Sequence, residues 1–149
     1  MTTPSHLVPS TKIVVVEDDK DDTFLLLRQL KKIQLDSDVT VIPSGYAAYN
    51  HLLETSQPPS LLFLDLHLPG ISGLEILKKL REVRRLREVP VIILTGSVNP
   101  KDEAECAKYN VSAFLIKPVS VSTFVKSVAH LFPERDLKSS VVSYADNPA

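Results

Sequence analysis

Leu61-Leu62-Phe63-Leu64-Asp65, followed at once by Leu66-His67-Leu68-Pro69-Gly70, is the stretch on which the reading of the chain turns. Its first four residues are apolar without alternation, the pattern of a strand buried on both faces of a sheet. The run stops at a carboxylate, and Pro69-Gly70 then turns the chain. Asp65 therefore stands where a parallel strand meets its loop. In an open α/β sheet that carboxyl edge is where ligands bind and chemistry collects. A lone Asp there would read as a loop cap; the other segments of the chain decide otherwise.

Toward the N-terminus, Gln57-Pro58-Pro59-Ser60 leads into this strand, and Tyr46 to Glu54 fits a short helix that uses Tyr49, Leu52 and Leu53. Pro43-Ser44-Gly45 turns the chain after Val39-Thr40-Val41-Ile42, a strand whose Thr interruption suits a sheet edge. Ile13-Val14-Val15-Val16 is a β-branched run ending in Glu17-Asp18-Asp19, where a helix should start because Asp suits a first turn. Phe24, Leu27, Leu30 and neighbouring leucines give that helix a broad apolar face, ending near Gln34.

Toward the C-terminus, Ser72 caps a helix carrying Leu74, Ile76, Leu77, Leu80 and Val83. Arg81 to Arg87, rich in arginine and glutamate, reads as a solvated helix end and loop, with a partner-docking patch as the alternative. Val91-Ile92-Ile93-Leu94 is a fourth strand ending in Thr95-Gly96-Ser97. Asn99-Pro100 starts a helix, since Pro is welcome in a first turn. The apolar stripe of that helix, Ala104, Ala107 and Val111, is thin, so it should be among the least firmly held. Ala113-Phe114-Leu115-Ile116 is the fifth strand, closed by Lys117-Pro118. Val121, Phe124, Val125, Val128 and Leu131 recur at helical spacing and make the last helix, which Pro133 ends.

Strands alternating with helices predict a parallel sheet covered on both faces. Right-handed crossovers make it a single doubly wound (βα)5 sandwich, an α/β fold. The more polar second strand favours the flavodoxin-like order 2-1-3-4-5. No glycine-rich phosphate loop occurs, so both nucleotide fingerprints are missing. The 149 residues suit one domain: an arm over 1–11, the domain over 12–132 and a tail over 133–149. A net charge of −1 gives no electrostatic reason to expect nucleic acid or an anionic membrane as partner. The one cysteine, Cys106, excludes an internal disulfide and a multi-cysteine metal site. With no signal peptide pattern and no apolar stretch of spanning length, a cytoplasmic protein is expected.

In a parallel sheet all strand ends face one way, so Glu17-Asp18-Asp19, Asp65, Thr95 and Lys117 converge on one cleft. That many carboxylates against one lysine cannot all stay ionised at close range without help. A divalent cation resolves the conflict, and carboxylates, a backbone carbonyl and waters are the set magnesium prefers. Asp65 then becomes a candidate nucleophile that accepts a phosphoryl group as an acyl phosphate. Mg²⁺ would neutralise one phosphoryl oxygen, the Lys117 ammonium a second, and the Thr95 hydroxyl would donate to a third. Spacing alone does not separate Asp18 from Asp19 as a ligand.

Over about Thr11 to Phe132 the chain resembles the receiver domain of two-component response regulators. The resemblance rests on Glu17-Asp18 after the first strand, Asp65 followed by Leu68-Pro69 and Gly73, then Thr95, and Lys117-Pro118. It implies that Asp65 is the phosphoacceptor and Asp18 a direct Mg²⁺ ligand. Glu17 would act through water, and the backbone carbonyl of His67 would be the third protein ligand. It makes Thr95 and Lys117 the switch and phosphate-binding residues and Phe114 the switching aromatic, and implies a cis peptide at Lys117-Pro118. Phe114 lacks the hydroxyl of a tyrosine, and His67 is unusual two residues past the acceptor. Asp21-Asp22, Asp65-Leu66-His67-Leu68-Pro69 and Leu94-Thr95-Gly96-Ser97 resemble the small single-domain response regulators of cyanobacterial phytochromes.

That resemblance implies a phytochrome-like sensor histidine kinase as partner, and no small-molecule substrate. With no output domain after Leu131, signalling through protein contact is expected. The expected protein is thus not an enzyme beyond its own phosphoryl transfer and dephosphorylation. A haloacid-dehalogenase-type phosphatase is the rival, but it needs a second Asp two residues after the nucleophile, where His67 stands. An unphosphorylated interaction module is the third reading. The tail, with Leu137, Val141, Val142 and Tyr144 among polar residues, is expected to pack on its own domain or on a second copy. A two-fold homodimer would use the face bearing Phe114, Val121 and Val125.

Overall fold

The computed structural model describes residues 11–135 and Leu137. Strands β1 (Ile13–Val16), β2 (Val39–Ile42), β3 (Leu61–Leu64), β4 (Val91–Thr95) and β5 (Ala113–Ile116) alternate with helices α1 (Lys20–Lys32), α2 (Gly45–Glu54), α3 (Gly73–Glu82), α4 (Pro100–Ala107) and α5 (Val121–Ala129). The sheet is parallel in the order β2-β1-β3-β4-β5, as the alternation predicted. β1, β3 and β4 are buried along their whole length, whereas β2 at the edge is half exposed.

Two-residue alternation along the strands divides the core. Val14, Val16, Leu62, Leu64 and Ile93 meet α2, α3 and α4, while Ile13, Val15, Leu61, Phe63 and Ile92 meet α1 and α5. On the second face Phe63 and Phe124 stack with ring centroids 5.7 Å apart. Leu137 is buried in this face too, and Arg135 donates to the Thr11 hydroxyl at 2.9 Å, so both segments root in the domain. Residues 1–10, 136 and 138–149 lie outside the described residues, and with them the rest of the expected tail packing.

Four readings need correction. Phe24 is 64% exposed and Leu25 50%, because α1 turns Leu26 and Leu30 inward and a residue two positions from Leu26 points about 200° away. In α4, Ala104 and Ala107 face solvent and Cys106 is the buried residue. Each fully buried large apolar side chain contributes roughly 1.5–3 kcal/mol, so α4 is held far less firmly than α3, which buries Ile76, Leu77 and Leu80. Burial and the nearby Asp102, Glu105 and Glu103 push the Cys106 thiol up to about 11. Val125 is buried in its own domain and offers nothing to a second copy; Ile116, 43% exposed, is the apolar residue of β5 that reaches the surface.

The fourth correction concerns Arg81 to Arg87, which is no simple solvated run. The Arg81 guanidinium donates to the carbonyls of Arg87, Val89, Tyr109 and Asn110, and so ties the end of α3 to the loops before β4 and β5. Arg85 donates to the carbonyls of Leu52 and Leu53 at the end of α2. Between them Leu86 is fully buried in a turn of 3₁₀ helix. Arg81 thus satisfies loop carbonyls and Arg85 the carbonyls at a helix end that would otherwise go unmet.

Candidate functional site

The carboxyl ends of the strands form one cleft, and backbone hydrogen bonds hold its floor in register. Glu17 N donates to Ile42 O, Asp65 N to Val16 O and Lys117 N to Thr95 O, at 3.3, 3.1 and 2.8 Å. Local chemistry at each strand end then aims the side chains. Asp19 caps α1 by accepting from Asp22 N at 2.9 Å, so its carboxylate serves the helix. This separates it from Asp18. Carboxylate oxygens of Glu17, Asp18 and Asp65 all lie within 4.8 Å of one another, with Glu17 and Asp65 buried and Asp18 exposed.

Lys117 faces this cluster from β5. Its ammonium pairs with Glu17, lies 2.9 Å from Asp22 Oδ2 and 3.7 Å from Asp65 Oδ2. Burial pulls the Lys117 pKa down, but the hydrogen bonds it donates to Glu17 and Asp22 and the field of Asp65 outweigh it, and the net shift is upward. Burial raises the Glu17 carboxyl, and the Asp65 charge adds to this; the bond to Lys117 offsets only part. The site therefore holds excess negative charge against a fixed cation. Three hard oxygen donors in such a group match what a small divalent cation requires. A bound cation would neutralise charge and orient phosphate oxygens.

The wall beyond Asp65 is built by a close approach of backbone. Gly73, first residue of α3, donates its N–H to Leu66 O at 2.9 Å, and a Cβ there would collide with the Asp65 carbonyl. His67 N donates to Asp65 Oδ1 at 3.3 Å and fixes the carboxylate from the loop side. Thr95 is fully buried at the end of β4, and its hydroxyl accepts from Ser97 N at 3.1 Å while keeping its own proton to donate. Phe114 is half buried against the core face of α3 and α4. The Lys117-Pro118 peptide is cis, as the resemblance implied.

Two features escaped sequence reasoning. Asp22 enters the sequence reading only within the Asp21-Asp22 cue, yet it is a partner of Lys117; its place one turn past Asp18, on a helix that starts in the cleft, is the available signal. The His67 imidazole lies 3.6 Å from Asp102, which also accepts from Ser97 Oγ at 2.5 Å. Beside the cleft, a groove of about 620 Å³ runs between α1 and the start of α5. Leu25, Val119, Val121 and Phe124 line it together with Asp22 and Lys117.

The response regulator receiver domain model matches residues 13–129. The chain belongs to that family. As a receiver, it is 32% identical over 125 residues to response regulator Rcp1 of Synechocystis, an alignment covering 80% of this chain and 85% of that protein. Its fold superposes on the bacteriophytochrome response regulator RtBRR with a TM-score of 0.74, 34% identity, and coverage of 83% of this chain and 79% of that one. The phosphorylated cyanobacterial phytochrome response regulator RcpA gives a TM-score of 0.73 at 26% identity, covering 84% and 95%. Rcp1 itself, in its Mn²⁺-bound form, gives 0.70 at 30% identity, covering 81% and 91%. This receiver is therefore a response regulator homologous to phytochrome response regulators. Among the described residues no helix is long and apolar enough to cross a membrane.

Proposed function

We propose that Asp65 accepts a phosphoryl group from a sensor histidine kinase, in a reaction that needs Mg²⁺. The observation that carries this is the convergence of three carboxylates within 4.8 Å of one another on an ammonium 3.7 Å from Asp65. Asp18, Asp65 and the His67 carbonyl would hold the cation, with Glu17 reaching it through water. An Asp65 carboxylate oxygen attacks phosphorus in line, the bond to the donor imidazole or acetate breaks, and an acyl phosphate results. The Lys117 ammonium and the Thr95 hydroxyl each take one phosphoryl oxygen. Recruitment of Thr95 draws in the loop after β4 and gives Phe114 a second packing position, which shifts an existing two-state equilibrium.

The groove beside α1 suits a helical partner that delivers phosphate. Leu25 exposes apolar surface there, and Lys117 is among the groove's lining residues. Its relatives favour a phytochrome-like kinase as donor, and the acceptor turns over no small-molecule substrate. The unit that does this spans 12–132, works in the cytoplasm, and pairs as a two-fold homodimer through α4, β5 and α5. Incubation with acetyl phosphate and Mg²⁺ should raise the intact mass by one phosphoryl group, and chelation of the metal should abolish the gain. A protein that gains nothing with Mg²⁺ would be an interaction module only; steady release of phosphate from a small ester would return the phosphatase reading. Amide exchange after phosphorylation should change along α4 and β5; a change confined to the surroundings of Asp65 would contradict the switch.

A further inference from the structure

We infer that Asp22 is a positioning residue that holds the Lys117 ammonium away from the phosphoryl site, and so sets how readily Asp65 is phosphorylated. This rests on the reading of Asp65 as the acceptor. Lys117 has three carboxylates in reach, and Asp65 is the one it does not hydrogen-bond: 3.7 Å exceeds the range of such a bond, whereas Asp22 is at 2.9 Å. Glu17, the other holder, belongs to the three-carboxylate group that suits a cation, and Asp22 does not. When a cation draws on Glu17, Asp22 remains as the carboxylate committed to the lysine.

The backbone on both sides makes this a choice between positions for one side chain. Lys117 N is fixed on the Thr95 carbonyl at 2.8 Å, and Asp22 stands in the first turn of a helix capped by Asp19. Only the lysine side chain needs to rotate. The Asp22 side chain is 35% exposed, so the pair is weak enough to break, yet Lys117 is 19% exposed and the pair is not fully screened. On this inference, drawing the ammonium toward a phosphoryl oxygen on Asp65 weakens its bond to Asp22. Asp22 thus stabilises the unphosphorylated arrangement.

Phosphorylation of the full chain by acetyl phosphate at saturating Mg²⁺, followed by intact mass against time, tests this. At low salt Asp22→Asn should be phosphorylated about three- to tenfold faster than the native protein, the range of a partly exposed charge-assisted pair. The gap should narrow at 1 M salt, where the screening length falls to about 3 Å. Asp22→Glu should restore the native rate. Asp21→Asn, which removes the same charge from the same helical turn, should leave it unchanged. A native or slower rate for Asp22→Asn, a gain that salt does not reduce, failure of Asp22→Glu to restore the rate, or an equal gain in Asp21→Asn would overturn the inference. A native protein that takes up no phosphoryl group would overturn the underlying acceptor reading as well.

Discussion

Asp65→Asn should gain no measurable phosphoryl group from acetyl phosphate, a loss of at least about 10³-fold, because the amide keeps the shape of the side chain and has no nucleophilic oxygen. The fold should survive. The substitution removes one of three carboxylates crowded within 4.8 Å, so part of their mutual repulsion disappears along with a long contact to Lys117. The Mg²⁺-dependent rise in melting temperature should shrink, since a ligand that binds only the folded state stabilises it by about 2.7 kcal/mol at a hundred times its Kd. Thermal unfolding with and without Mg²⁺ measures this. A variant that still gains the mass, or whose melting temperature answers Mg²⁺ as the native protein's does, would refute the assignment.

Gly73→Ala should cost stability and phosphorylation together. The added methyl meets the Asp65 carbonyl and lies 2.8 Å from Leu66 Cα, so backbone must give way. Overpacking of this kind costs roughly 1–3 kcal/mol, and here the strain falls on the peptide that carries the acceptor. Denaturant unfolding should show the loss, and acetyl phosphate should phosphorylate the folded fraction at least about tenfold more slowly, as expected for a displaced reacting atom. A methyl accepted with neither change would mean that α3 moves away freely and that the close approach does not position Asp65.

The strands, their order and the converging residues could be read from the chain because each is signalled locally. A buried central strand is an unbroken apolar run, an edge strand is interrupted, and a strand end is marked where the run meets a carboxylate, a Thr or a Lys. Ser44, Ser72, Asn99 and Ser120 cap their helices by accepting backbone N–H groups, which composition also signals. What could not be read depends on how elements rotate against one another. Leucine-rich α1 has apolar residues nearly all round, so counting them does not say that Phe24 and Leu25 face water. Arg81 and Arg85 look like surface charges until the loops they staple are in place. Asp22 looks like a helix-dipole residue until Lys117, 95 positions later, reaches it.

Chemical trapping of the acyl phosphate tests most directly whether an Asp65 oxygen bonds to phosphorus. The protein is phosphorylated with acetyl phosphate and Mg²⁺, reduced with borohydride, which converts an aspartyl phosphate to homoserine, and then mapped by peptide mass spectrometry. Homoserine should be found at position 65 and at no other carboxylate. Homoserine at Asp18 or Asp22, or an unreduced phosphoryl group on His67, would contradict the account.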